Sequence, residues 1–374
     1  MRNFIYDIVC LVLEKFAVIP GDTSRRSRSL LALLPGLLLC VSTAFAAGSH
    51  ASHLDRTKNP VGCAACHKGH GQRGTAMLRT SKEGFCFNCH SFGGSGERIQ
   101  AKTDMMTVFS KKSRHPVVET SIYHVAGEEL PERSPSAMRH VACEDCHNIH
   151  DITPEKKWGD VKGYGAGMRR VDDVQNEYEL CYKCHSDSAN LPPNEKNKRL
   201  EFDMNNPSYH PVEGPGKNYR VPSLKGRLNT ASTITCSDCH GNDDPYGPKG
   251  PHASNYDFML KDRYIKTEGA ESPASYALCY SCHDRSSILN NESFALHKEH
   301  IIYQRTPCSA CHTPHGTNRN ANLIEFDTQF VGFTQLASYA PAQDGRPLCF
   351  LKCHIGGKDY THDNAFYTVK KWPR

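Results

Sequence analysis

Residues 143–147 read Cys143-Glu144-Asp145-Cys146-His147, and residues 181–185 read Cys181-Tyr182-Lys183-Cys184-His185. Two thiols separated by two residues, with an imidazole directly behind them, form the attachment pattern for c-type haem. Both sulfurs bond to the edge of one macrocycle, and the adjacent histidine faces its iron. A single such motif is weak support. Working outward from these two, the chain holds eight.

The eight motifs alternate between two kinds, so the array is a tandem of pairs. The odd kind has small or acidic residues between its cysteines: Cys63-AA-Cys66-His67, Cys143-ED-Cys146-His147, Cys236-SD-Cys239-His240 and Cys308-SA-Cys311-His312. The even kind has an aromatic after the first cysteine: Cys86-FN-Cys89-His90, Cys181-YK-Cys184-His185, Cys279-YS-Cys282-His283 and Cys349-FLK-Cys353-His354. The last carries one extra residue yet keeps its place and its aromatic. An eighth haem is therefore expected there as well. Within the four units the first cysteines lie 23, 38, 43 and 41 residues apart. The aromatics Phe87, Tyr182, Tyr280 and Phe350 are expected to pack on the porphyrins.

Of 21 histidines, eight are the proximal ligands of these motifs. The others repeat with the units and supply a distal ligand for each iron: His53 and His70, His115 and His150, His210 and His252, His300 and His315. His50 and His297 stand as alternates in H-x-x-H pairs. His124, His140 and His362 have no counterparts in the repeat and are read as surface or supporting residues. The methionines show no matching repeat. Iron held by two histidines has no open position and no methionine to raise its potential, which favours low-potential electron transfer over catalysis.

Two rival readings of the cysteines are weaker. Structural zinc would use two pairs as a four-ligand site, and disulfides would join the cysteines to one another. Neither accounts for eight histidines in register.

The composition agrees with buried cofactors. Apolar residues make up 38% of the 374 and the mean hydropathy is −0.58. That is below the roughly 45–50% of globular chains on a comparable count. So polar a chain has little side-chain core of its own, and haems packed against one another would supply one. The formal charge of +5 does not point to nucleic acid. With the leader removed and eight haems carrying ionised propionates, simple counting gives about −5 oxidised and about −13 reduced.

Residues 24–47 carry a basic start at Arg25, Arg26 and Arg28, an apolar stretch from Leu30 to Val41, and the small-residue site Ala44-Phe45-Ala46. This pattern predicts a signal peptide cleaved after Ala46. Its apolar run is short for a span of roughly 20 residues. Residues 1–20 are interrupted by Asp7 and Glu14 and suggest a start codon assigned too far upstream, with the true start near Val18. A periplasmic or extracellular location follows, outside the reducing cytoplasm.

The expected fold is a multihaem cytochrome c: mostly irregular coil with short helices around closely packed haems, and little β-structure. Short helices are expected at the even motifs, over Val171–Cys184 and Ser275–Cys282, with irregular connectors at the Pro/Gly-rich stretches. The modules are residues 1–46 (leader), 47–100, 101–195, 196–290 and 291–374.

The doubled motifs, the H-P-V triplets at His115 and His210, and the His147/His150 and His312/His315 spacings carry a family resemblance. The chain resembles the multihaem c-type cytochromes of the cytochrome c3-like group. It is similar to periplasmic decahaem cytochromes of porin–cytochrome conduits and to subunits of extracellular cytochrome filaments, but has eight sites. The resemblance implies an electron carrier in anaerobic respiration or extracellular electron transfer. The implied partners are redox proteins, a quinol-linked donor and an outer-membrane or extracellular acceptor, with outer-membrane association or polymerisation as possible settings. Two alternatives stay open: an octahaem oxidoreductase with one catalytic haem acting on small nitrogen or sulfur compounds, and a filament-forming subunit.

Overall fold

The computed structural model describes residues 53–69, 77–78, 86–92, 103–118, 139–153, 155–187, 190–192 and 195–328, with the backbone of 338–341 and 347–350. The expected leader, residues 1–46, and His50, His70, His124, Cys353, His354 and His362 lie outside the described residues, as does the side chain of Cys349.

Regular helix is short: α1 Met105–Phe109, α2 Cys143–Cys146, α3 Glu177–His185, α4 Lys198–Phe202, α5 Cys236–Cys239, α6 Ala277–Tyr280 and α7 Arg285–Leu289. Each needs a local device, because a single turn fixes many dihedrals for few hydrogen bonds. Asp104 caps α1 by accepting from the Met106 and Thr107 N–H groups, and Asp284 caps α7 through Ser286 and Ser287.

In the odd motifs, the residue before the second cysteine varies with the kind of turn. Asp145 accepts the Ala142 N–H at 2.8 Å and Asp238 the Thr235 N–H at 2.7 Å, and both motifs are α-helical turns. Where alanine stands there, the chain takes the tighter 3-10 form, at Gly62–Ala65 and Cys308–Ala310. Either way the motif histidine's N–H returns to the first cysteine's carbonyl at 2.9 Å, in all four.

Helix carries the even motifs at Cys181 and Cys279, with shorter bounds than the sequence predicts. Val171 belongs to a strand, and α3 starts only at Glu177. There the Glu179 carboxylate accepts the Gln175 and Asn176 N–H groups, both at 2.9 Å, and so closes the helix start.

The strands form antiparallel two-stranded ladders. Strand β1 (Ser113–Arg114) pairs with β5 (Ala253–Ser254), and β2 (Gly163–Tyr164) with β3 (Arg170–Val171). Strand β4 (Ser208–Tyr209) pairs with β6 (Gly316–Thr317), and β7 (Ser338–Pro341) with β8 (Pro347–Phe350). Two of these, β1–β5 and β4–β6, join successive units, and β1 and β4 run directly into the H-P-V triplets. Gly316 is required at its place: a Cβ there would collide with the Glu201 carbonyl and the Tyr209 side chain. That close approach seats α4 against the β4–β6 ladder.

Burial concentrates on the even-motif aromatics. Tyr182 is 1% exposed, and Phe87 and Tyr280 are buried as well. Phe87 meets Phe109 edge-to-face, and with Val117 they form an apolar cluster. No described helix is long and apolar enough to cross a membrane. All described residues fall within one compact unit.

Candidate metal centres

Each odd motif is fastened by a segment further down the chain. The residue after the motif histidine donates its N–H to a downstream carbonyl: Lys68 to Met77 at 2.9 Å, Asn148 to Trp158 at 2.7 Å, Gly241 to Met259 at 2.6 Å and Thr313 to Leu323 at 2.9 Å. One residue before that acceptor, another carbonyl meets the motif histidine's Nδ1. His147 reaches Lys157 O at 3.1 Å, His240 reaches Phe258 O at 2.7 Å and His312 reaches Asn322 O at 3.0 Å. A carbonyl only accepts, so Nδ1 holds the proton and Nε2 keeps its lone pair for a metal. The turn that presents both carbonyls uses left-handed backbone, at Phe258 and Met259 and again at Asn322 and Leu323.

Even motifs use side chains instead. His283 Nδ1 lies 2.9 Å from Ser223 Oγ, and His185 Nδ1 lies 3.9 Å from Glu195 Oε1.

Every described motif histidine faces one histidine from outside the motifs. The ring centroids are 6.2 Å apart for His67 and His150, 6.1 Å for His90 and His53, and 6.2 Å for His147 and His252. They are 6.3 Å apart for His185 and His115, 6.1 Å for His240 and His315, 6.5 Å for His283 and His210, and 6.3 Å for His312 and His297. Two imidazoles on opposite sides of one metal, each bonded at about 2.0 Å, would place their centroids about 6.3 Å apart. The residues present therefore fit iron held between two histidines.

The pairing follows a rule. An even-motif histidine faces the upstream histidine of its own unit: His53, His115 and His210. An odd-motif histidine in the first three units faces the downstream histidine of the next unit: His150, His252 and His315. The ladders hold the two sets together. His115 donates its N–H to His252 O at 3.1 Å and its Nδ1–H to Pro251 O at 2.7 Å. His210 repeats this with His315 O at 2.7 Å and Pro314 O at 2.5 Å.

In the fourth unit the odd motif pairs within its own unit. The imidazole opposite His312 is His297, whereas the sequence reading favoured His300. His300 lies in the π-turn Glu299–Tyr303, with its Nδ1 2.8 Å from Leu296 O. There the His300 ring lies against Phe294, at 6.2 Å between centroids. Cys349 lies on strand β8, paired with Tyr339, so the lengthened motif does not begin in a helix as the even motifs at Cys181 and Cys279 do. His140 is buried just before α2.

Electrostatics favour the metal-binding forms. Burial pushes His115, His252, His283 and His297 down to about 4, so each is neutral at pH 7. The neighbouring histidines His185, His147, His210 and His312 add to this. Burial also pushes the Cys146, Cys239 and Cys308 thiols up to about 11 and that of Cys279 to about 12. Thiols so protonated are poor nucleophiles.

The described motif cysteines are free thiols. Among the described residues no group of three or more His, Cys, Asp or Glu could hold a metal ion.

Successive sites are neighbours. Cys89 lies close enough to Cys66 to help raise its pKa, as do Cys184 to Cys146, Cys282 to Cys239 and Cys308 to Cys279. Cys181 meets Cys236, and His90 feels His147. The seven described sites thus adjoin in sequence order.

Motifs, paired imidazoles and fold together define a class: the chain is a multihaem c-type cytochrome that works in electron transfer. A family model described as outer membrane cytochrome MtrC/MtrF-like, domains II/IV, matches residues 138–323, and one for the doubled CXXCH motif matches residues 57–93. No curated protein and no solved structure matches the chain.

The fastening segments of the odd motifs escaped the sequence reading. Their only common signal is a large apolar residue at Met77, Trp158, Met259 and Leu323, at irregular distances from the motif. Three side chains near α4 also carried no motif. Glu195 and Glu201 stand behind His185 and His315, and Lys198 lies between them. His185 holds the Glu195 carboxyl down to about 2, with Lys198 adding. Burial raises Glu201, but His315 and Lys198 outweigh it and leave it below the usual carboxylate range.

Proposed function

We propose that the chain is an electron conduit with eight covalently attached haems, seven of them held between the imidazole pairs described above. Bound haem would supply one-electron iron chemistry, and the protein would supply its two thioether anchors and two axial imidazoles. The distal ligands in this reading are His150, His53, His252, His115, His315, His210 and His297, in chain order of the motifs. The eighth haem, at Cys349, Cys353 and His354, rests on the repeat alone. Two-histidine ligation would give low potentials and leave no open position for a substrate, so the reading is a carrier and not an enzyme.

The supporting observation is the set of seven facing pairs. Their separations span only 6.1 to 6.5 Å, although their partners come from different units. The adjoining sites support electron passage in sequence order. The signal-like pattern of residues 24–47 and the likeness to an outer-membrane cytochrome family favour the periplasm or cell surface, with a quinol-linked donor and an outer-membrane or extracellular acceptor.

Quantitative EPR with near-infrared magnetic circular dichroism on the oxidised protein tests this reading. Eight low-spin centres with two histidines each are expected. A high-spin or non-histidine centre among the first seven would overturn the ligand assignment. One at the eighth would turn attention to substrate reduction there.

A further inference from the structure

The sites of His115–His185 and His240–His315 adjoin at Cys181 and Cys236. Behind one imidazole of each stands a carboxylate. Glu195 Oε1 lies 3.9 Å from His185 Nδ1, and Glu201 Oε2 lies 3.1 Å from His315 Nδ1. A single ammonium reaches both: Lys198 Nζ is 3.3 Å from Glu195 Oε1 and 2.9 Å from Glu201 Oε2. The three residues are spaced i, i+3, i+6 across the start of α4, where Asn197 caps the helix by accepting the Leu200 N–H. Only 10% of the Glu201 side chain and 20% of that of Lys198 are exposed.

Other imidazoles of the facing pairs, including the partners of these two, differ. Nδ1 of His115, His147, His210, His240 and His312 meets a backbone carbonyl, and that of His283 meets a hydroxyl. A carboxylate behind a ligating imidazole raises its basicity, which favours the ferric ion and lowers the potential. An ammonium on that carboxylate opposes the effect.

We propose that Glu195, Lys198 and Glu201 form one charge bridge that sets the potentials of the His115–His185 and His240–His315 haems together. The three are positioning residues, and the proposal rests on reading the two imidazole pairs as haem sites. Glu201 and Glu195 draw their haems down, and Lys198 limits both at once.

EPR-monitored potentiometric titration of the full haem-loaded protein tests the bridge. Glu201→Gln keeps the side chain's shape and should favour reduction of one low-spin centre at least threefold. Lys198→Met should disfavour reduction of two centres, one of them the centre that Glu201→Gln moves. Lys198→Arg should restore both. Lys198→Gln serves as a second neutral variant should the methionine protein not fold. Lys196→Met removes a nearby charge that pairs with Glu325 and should leave both centres unmoved.

A purely structural role would not move the two variants in opposite directions. If Lys198→Met and Lys198→Gln shift neither centre, or only one, the bridge is overturned while the low-spin signals of the parent stand. If the parent lacks those signals, the haem assignment falls and the bridge with it.

Discussion

Odd and even motifs share one covalent chemistry and differ in everything around it. An odd motif is a single turn fastened by backbone: at three of the four its histidine meets a downstream carbonyl, and in the first three units its facing imidazole comes from the next unit. Each described even motif carries a buried aromatic and faces an imidazole from its own unit, and two of the three fix their histidine by a side chain. Even motifs therefore act as the core of a unit and odd motifs as the joint between units. A pair of motifs in sequence is not a closed pair in space.

The largest way to break this comparison is to remove a ligand across a joint. His315→Ala should turn one low-spin centre high-spin, and that centre should be the haem on Cys236 and Cys239, in the preceding unit. Losing the metal bond that ties two units should cost about 4–5 kcal/mol or more. EPR spin counting and thermal unfolding measure both effects. An unchanged spin count would contradict the cross-unit rule.

The next contrast sets the residue after the first cysteine in one kind of motif against the other. Tyr182→Ala should cost about 3–5 kcal/mol, as expected for a large buried aromatic. Glu144→Ala, at the matching odd position and exposed, should stay within about 0.5 kcal/mol. Denaturant unfolding separates them readily. Equal losses would remove the distinction between core and joint.

Two even-motif tyrosines extend the contrast to pH. Tyr182 donates to Glu213 at 2.6 Å and Tyr280 to Glu271 at 3.1 Å. Burial raises Glu213, with Tyr182 opposing. Glu271 is lowered, chiefly by the Arg285 guanidinium, whose two nitrogens reach it at 2.8 and 2.5 Å. A carboxyl raised by folding contributes stability below its unfolded pKa and loses it as pH rises through the folded value. A lowered one contributes above its unfolded pKa and loses stability as pH falls through the folded value. Glu271→Gln should therefore flatten the acid limb of the stability curve, at a cost near neutral pH of about 1–2 kcal/mol. Glu213→Gln should remove a loss that appears as pH rises above the carboxylate range. Parallel shifts in the two variants would contradict the assignment of opposite signs.

The motifs themselves were legible because attachment chemistry is local: five residues specify two sulfurs and one imidazole. The alternation of aromatic and small residues was legible too, and it separates core from joint. Candidate distal histidines could be named from the repeat, but their partners could not. His252 faces His147 across a long stretch of chain, and nothing near either residue encodes that meeting. The choice between His297 and His300 was hidden for a similar reason, since it depends on how the π-turn Glu299–Tyr303 places the two. Lys198 reads in the sequence as one surface lysine among many. Its place between two carboxylates appears only once α4 is seated on Gly316.

The smallest effect tests the backbone of the joint. Asn322 has φ of 59°, and its carbonyl receives the His312 Nδ1–H. Asparagine tolerates this left-handed conformation, glycine takes it freely, and a β-branched residue resists it. Asn322→Gly should accordingly change stability by no more than about 0.5 kcal/mol, with the loss of the 3.0 Å contact to Asn218 partly offsetting any relief of strain. Asn322→Val should cost about 1–3 kcal/mol, because the turn must open and release the carbonyl from His312. Thermal unfolding of the two variants decides the matter. If valine is tolerated as well as glycine, the left-handed turn is not what fixes the histidine, and the odd motifs are held by something other than their backbone.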